Sequence, residues 1–104
     1  MKVELLYFDG CPSYARLLPR LRELVARADP DAKVERRRVE TAEQATRERF
    51  LGSPTVRVDG RDVDPGASER GDFGIKCRLY RTARGLGPLP PDGWIIEALG
   101  PASG

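Results

Sequence analysis

Apolar positions along the chain change their spacing, and the changes predict alternating strands and helices. Residues 3–8 form a short apolar run bounded by a turn signal, which is typical of a strand buried on both faces. From Pro12 to Ala28, apolar residues recur every three or four positions, so we expect one helix with an apolar face. Pro12 suits the first helical position, which makes Cys11 the predicted N-cap. Pro19 lies inside this helix and is predicted to kink it.

The middle of the chain continues this alternation. Residues 33–39 alternate as a second strand does, and a helix between two strands predicts a right-handed βαβ unit with parallel strands. A second helix is predicted over 41–50. Residues 55–58 and 61–63 predict a β-hairpin, because the Asp59-Gly60 pair between them favours a two-residue turn.

The C-terminal third is less regular. Residues 65–90 are rich in glycine and proline, so we expect a long loop or partly ordered insertion in which only residues 75–80 carry a regular pattern. A last helix is predicted over 91–99, ended by Gly100-Pro101. The predicted order is β-α-β-α-β-β-α, and a length of 104 residues fits one domain over 1–104.

Composition excludes several kinds of chemistry. The chain has no histidine and two cysteines, so Ser-His and Cys-His dyads are impossible, and the usual zinc ligand sets are out of reach. We therefore predict no metal site and no cofactor. The 18 basic and 16 acidic residues are mixed along the chain, which argues against nucleic acid as a partner. No apolar run approaches the ~20 residues of a membrane-spanning helix, so no membrane partner is expected.

The N-terminal sequence leads directly into the first predicted strand, without the charged and apolar parts of a secretion signal. We expect a cytoplasmic protein whose thiols remain free. The sequence does not indicate an oligomeric state.

Cys11 is the residue whose predicted position suggests reactivity. A thiolate at a helix N-terminus faces unpaired backbone N–H groups and the positive end of the helix dipole, and both stabilise the anion. The hydroxyls of Ser13 and Tyr14 are placed to donate further hydrogen bonds to the sulfur. The simpler alternative is that Cys11 is a small buried residue in a turn.

The cysteine at the start of the first helix and the Gly52-Ser53-Pro54-Thr55 sequence before the third strand resemble the thioredoxin fold. The segments FDGCP, GSPTVRVDGRD and KCRLYRT are similar to those of small bacterial thioredoxin-like proteins. The resemblance implies an α/β thioredoxin-like fold with a central, mixed four-stranded sheet flanked by helices. Tyr14 stands where the family's Cys-x-x-Cys motif has its second cysteine.

The resemblance also implies a site. Pro54 would follow a cis peptide bond and face the thiol, and the backbone of Ser53 would pair with an extended partner segment, as an added strand does. Pro12, Ser13 and Tyr14 would lie beside Cys11. Ser53, Pro54 and Thr55 would line the same groove.

The role of Cys77 determines which redox chemistry is available. Three roles are open: it resolves a mixed disulfide on Cys11, it leaves that step to an external thiol such as glutathione, or it is a packed core residue. We expect thiol–disulfide exchange with a protein or small-molecule partner, with Cys11 and Cys77 as candidate catalytic residues. The alternatives are a non-catalytic module that binds a peptide or a thiophilic metal ion, and a structural subunit with a vestigial site.

Overall fold

The computed structural model describes residues 1–100. Residues 101–104, which include the predicted helix-ending Pro101 and the end of the predicted domain, lie outside this range. The elements are, in chain order, β1 (Val3–Tyr7), α1 (Pro12–Ala28), β2 (Val34–Arg38), α2 (Ala42–Arg47), β3 (Thr55–Val58), β4 (Arg61–Asp62), a 3₁₀ turn (Ala67–Glu69), β5 (Tyr80–Thr82), β6 (Gly85–Gly87) and α3 (Asp92–Leu99).

A four-stranded mixed sheet with the order β2-β1-β3-β4 forms the centre of the molecule. β1 runs parallel to β2 and antiparallel to β3, and β3 is antiparallel to β4. The turn between β3 and β4 places Asp59 and Gly60 at φ angles of 52° and 83°, as the predicted two-residue turn requires. The sequence-based expectation of a mixed α/β chain with a four-stranded sheet is confirmed.

Alternating residues of the central strand β1 face two separate apolar clusters. Val3 and Leu5 pack with α1, α3 and β3, and Leu6 packs on the opposite face with Val39, Ala45 and Phe50. The first four residues of β1 are buried, which confirms the predicted strand with two covered faces. Helices α1 and α3 therefore cover one face of the sheet, and α2 covers part of the other.

Helix α1 packs through the predicted stripe, and its buried residues are Leu17, Leu21, Leu24 and Val25. The helix runs through Pro19, which lies on its exposed side. None of the helices in residues 1–100 combines the length and the apolar character that a bilayer span requires.

The segment predicted as a long loop contains more structure than its composition indicated. It includes the 3₁₀ turn and a hairpin in which Tyr80–Thr82 pairs with Gly85–Gly87. Residues 75–80 form no continuous strand, because the segment makes one parallel pairing, between Cys77 and Ser53, before β5 begins. The backbone amide of Gly74 donates to the Phe50 carbonyl (3.0 Å), so this segment lies against the loop between α2 and β3.

Candidate thiol site

Cys11 caps the N-terminus of helix α1, as the sequence predicted. Its Sγ accepts a hydrogen bond from the backbone amide of Tyr14 at 3.4 Å, and its own amide donates to the Phe8 carbonyl at 3.4 Å. The residue is only 4% exposed. The sulfur thus faces the first turn of a 17-residue helix, where free N–H groups and the helix dipole favour a negative charge.

Tyr14 contacts the sulfur through its backbone and not through its hydroxyl. Its ring stacks on Tyr7, with centroids 3.8 Å apart, and its hydroxyl accepts a hydrogen bond from Arg36 at 3.4 Å. The expectation that the Tyr14 hydroxyl donates to Cys11 is therefore wrong. Burial and the adjacent Tyr14 raise the pKa of Tyr7, so Tyr7 keeps its proton at pH 7. Pro12 is exposed and Ser13 half-buried beside this pair.

The loop of residues 52–54 lies at the same edge of the sheet as Cys11. Leu6 in β1 pairs with Thr55 in β3, so the end of β1 and the start of β3 are neighbours. Cys11 follows β1 by four residues, and Pro54 directly precedes β3. The Ser53–Pro54 bond is cis, as the family resemblance implied.

The backbone of Ser53 already has partners within the chain. Its amide donates to the Lys76 carbonyl at 2.9 Å, and its carbonyl accepts from the Arg78 amide at 3.0 Å. The resemblance assigned these backbone groups to an incoming partner. In the structure, the segment of residues 76–78 occupies them.

Gly52 and Thr55 stabilise this loop, the first through a close backbone approach and the second through a buried hydrogen bond. Gly52 has a φ of +127°, and a Cβ there would lie 2.9 Å from the Lys76 carbonyl oxygen, so only glycine allows the close approach of the two segments. Thr55, predicted to line a groove, is fully buried, and its hydroxyl donates to the Gly52 carbonyl at 2.6 Å.

A buried ion cluster around Arg78 anchors the segment. The Arg78 side chain is fully buried and donates to Thr55, Asp62 and Asp64, at distances of 2.7–3.2 Å. Burial works against its charge, but the adjacent Tyr80 and the carboxylates of Asp62 and Asp64 together outweigh that effect and raise the pKa of Arg78. The only sequence signal for this cluster was the acidic pair Asp62 and Asp64 after the β3–β4 turn, so the sequence analysis missed it.

Tyr80 ties the same segment to the cis bond. Its buried hydroxyl donates to the Pro54 carbonyl, and its ring lies under the Arg78 guanidinium at 4.4 Å. Burial strongly raises the pKa of Tyr80. The residue therefore remains a neutral hydrogen-bond donor that fixes the position of Pro54.

Cys77 is exposed, so its interpretation as a packed core residue is wrong. Inward-facing Arg78 and Tyr80 are buried, whereas Ile75 and Leu79 on the other side are 39% and 56% exposed. This segment therefore shows charged and phenolic side chains inside and apolar ones outside. Both cysteines are free thiols.

Comparisons with protein families, with curated proteins and with solved structures gave no match. Within residues 1–100, no group of three or more Cys, Asp or Glu side chains is arranged to hold a metal ion. The arrangement of the site itself is therefore the basis for its function: a thiol at a helix N-terminus and a second, exposed thiol, both near one edge of the sheet.

Proposed function

We propose that this chain is a thioredoxin-like protein that performs thiol–disulfide exchange, with the Cys11 thiolate as the nucleophile. The observation that carries the proposal is the position of Cys11 Sγ, which caps a 17-residue helix and accepts the Tyr14 amide hydrogen bond. Backbone N–H groups at a helix N-terminus are a typical environment of nucleophilic cysteines, whose reactive form is the thiolate. The reaction belongs to a compartment that keeps thiols reduced, such as the cytoplasm.

The order of elements and the mixed sheet agree with the thioredoxin-like part of the proposal. β1 is central, Cys11 follows it, and a cis-proline precedes the antiparallel neighbour β3. These features bring the thiol and Pro54 to one edge of the sheet, as the resemblance in FDGCP and GSPTVRVDGRD implies.

In the exchange, the Cys11 thiolate attacks one sulfur of a disulfide and forms a new S–S bond. The old S–S bond breaks, and its second sulfur leaves as a thiolate that takes up a proton. A second thiol, either Cys77 or an external one, then attacks the mixed disulfide on Cys11 and releases the partner. The partner is a protein or a small molecule that carries a disulfide.

The test is the rate at which glutathione reduces bis(2-hydroxyethyl) disulfide with and without the protein. We expect the wild-type chain to accelerate the reaction and Cys11→Ser to lose at least 100-fold of that acceleration. Serine is a good helix N-cap, so the variant keeps the cap and removes only the sulfur. Circular dichroism and urea unfolding of the variant provide the control for folding. A Cys11→Ser protein as active as the wild type contradicts the proposal.

A further inference from the structure

We infer that a groove beside the β3–β4 hairpin binds a small molecule through its phosphate group. The groove has a volume of about 590 Å³, and its walls come from residues 48–51, 57–62 and 64–73. Neither cysteine lines it, so it is separate from the thiol site and independent of the proposed exchange function. Its volume falls in the range of about 300–1,000 Å³ that is typical of small-molecule sites.

Arg57 is the least exposed of the three arginines in this groove and lacks a close carboxylate. Its side chain, on β3, is only 13% exposed. One nitrogen, Nη2, donates to the backbone carbonyls of Glu48 and Arg49. The other, Nη1, is 4.0 Å from the Glu48 carboxylate, beyond hydrogen-bond distance. Burial lowers the pKa of Arg57 in spite of the acidic groups around it, so its charge is incompletely compensated.

Arg49 contributes a second cation from the wall that precedes β3. Its φ of 56° lies in the left-handed region, which residues other than glycine and asparagine rarely adopt. Its guanidinium lies 5.0 Å from the centre of the Phe73 ring, and that ring lines the same groove. Arg49 forms no ion pair with a carboxylate of residues 1–100, so its charge is available to a ligand.

Arg61, on β4, contributes the third cation. It is exposed, and in the part of the chain that the structure describes it likewise has no carboxylate partner. Three guanidinium groups therefore line one groove, and none of them has a carboxylate at hydrogen-bond distance.

The carboxylates of the groove are bonded to cations that do not line it. Glu48 is 2.6 Å from Arg37. Asp62 and Asp64 are 2.7 and 3.2 Å from Arg78. Because these acidic groups compensate Arg37 and Arg78, the groove keeps an excess of positive charge. An anion is the ligand that such an excess favours.

A phosphate group matches this arrangement better than a carboxylate does. It carries up to two negative charges and offers three acceptor oxygens, whereas a carboxylate has one charge and two oxygens. Guanidinium groups bind phosphate through paired N–H donors. The apolar side chains of Leu51 and Pro65, which also line the groove, provide a surface for the rest of an organic phosphate.

The test is a titration of the ¹⁵N-labelled protein with inorganic phosphate and with phenyl phosphate at constant ionic strength, followed by NMR. We expect saturable shifts of the backbone amides of Gly60, Ser68 and Phe73, and no shifts in α1. Phenyl phosphate that binds more tightly than inorganic phosphate assigns the site to organic phosphates, and equal affinities assign it to the free ion; both support a phosphate site. Acetate, with a single charge, should bind at least about tenfold more weakly than inorganic phosphate.

Two variants test the cations, and a third is their control. Arg61→Gln and Arg49→Asn should each weaken phosphate binding about tenfold, and asparagine tolerates the left-handed backbone of residue 49. Arg84→Gln removes the same charge from an exposed residue outside the groove, so it should change the affinity less than twofold. Circular dichroism checks that each variant folds.

Three results would overturn the inference. One is a set of shifts that grows linearly with phosphate and never saturates. Another is acetate that binds as tightly as phosphate. The third is equal loss of affinity in Arg61→Gln and Arg84→Gln, which would mean that phosphate responds to the net charge of the chain and not to the groove. The activity of Cys11 enters none of these measurements, so failure of the exchange function leaves them unaffected.

Discussion

Replacing Arg78 with methionine should remove most of what anchors the segment that carries Cys77. Methionine matches the length of the arginine stem and adds no polar group, so the substitution isolates the guanidinium. The Arg78 side chain is fully buried and meets Asp62 at 2.7 Å and Asp64 at 3.2 Å. No other cation bonds to these two carboxylates among the described residues.

The expected loss follows from the charges that the substitution leaves behind. The side chains of Asp62 and Asp64 are only 13% and 14% exposed, so two mostly buried carboxylates would lose their partner. Breaking a buried ion pair on one side costs about 3–5 kcal/mol, a large part of the roughly 5–15 kcal/mol that stabilises a domain. Arg78→Lys keeps the charge and loses the forked geometry, so we expect an intermediate loss of about 1–3 kcal/mol.

Urea unfolding at pH 7 measures these differences through the midpoint and the slope. Arg81→Met is the matched control, because Arg81 is exposed on the adjoining β5 strand and should change the free energy of unfolding by no more than about 0.5 kcal/mol. A loss below about 1 kcal/mol in Arg78→Met would refute the reasoning. It would mean that the ion cluster does not hold residues 76–78 in place.

Three further predictions concern the same segment. Gly52→Ala forces a Cβ to 2.9 Å from the Lys76 carbonyl oxygen at a φ of +127°. We expect the free energy of unfolding to fall by about 1–3 kcal/mol and the Ser53 amide to exchange its hydrogen faster. Unchanged exchange at Ser53 would contradict the close packing. Burial raises the pKa of Tyr80, so Tyr80 keeps its proton in the folded protein at a pH where the tyrosine of the unfolded chain ionises. The free energy of unfolding should therefore fall above about pH 10 by up to about 1.4 kcal/mol per pH unit, and less steeply in Tyr80→Phe. Equal slopes in the two proteins would argue against burial of the Tyr80 hydroxyl as the cause. Hydrogen bonds from Arg70 and Lys76 lower the pKa of Asp72, whose carboxylate is half exposed. Asp72→Asn should therefore reduce the free energy of unfolding by no more than about 1 kcal/mol at pH 7, and this difference should shrink as the pH falls below about 4. A difference that stays constant with pH would exclude the charge as its cause.

Local signals in the sequence predicted the elements that local chemistry determines. Proline at the first helical position placed Cys11 at the N-cap, and Asp59-Gly60 gave the hairpin turn. The apolar stripe gave α1 with its buried face. In each case the residues that decide the structure are a few positions apart, so spacing alone was informative.

The anchor of the Cys77 segment depends on residues far apart in the chain. A packed core residue was one of the three roles left open for Cys77, but the structure exposes Cys77 and buries Arg78 instead. It does so because Asp62 and Asp64, 16 and 14 positions earlier, offer carboxylates inside the fold. A pattern of apolar residues carries no information about such a distant partner. The β5–β6 hairpin was missed for a different reason, because glycine-rich segments give weak local signals.

The central claim is that the Cys11 thiol is the nucleophile of thiol–disulfide exchange, and peptide mapping of the oxidised protein tests it most directly. The wild-type chain is treated with excess glutathione disulfide, alkylated and digested with trypsin without reduction. The account predicts that the peptide of residues 3–16 is recovered with Cys11 in a disulfide, joined either to glutathione or to the dipeptide Cys77-Arg78. Recovery of this peptide with Cys11 alkylated, and therefore unreacted, would contradict it.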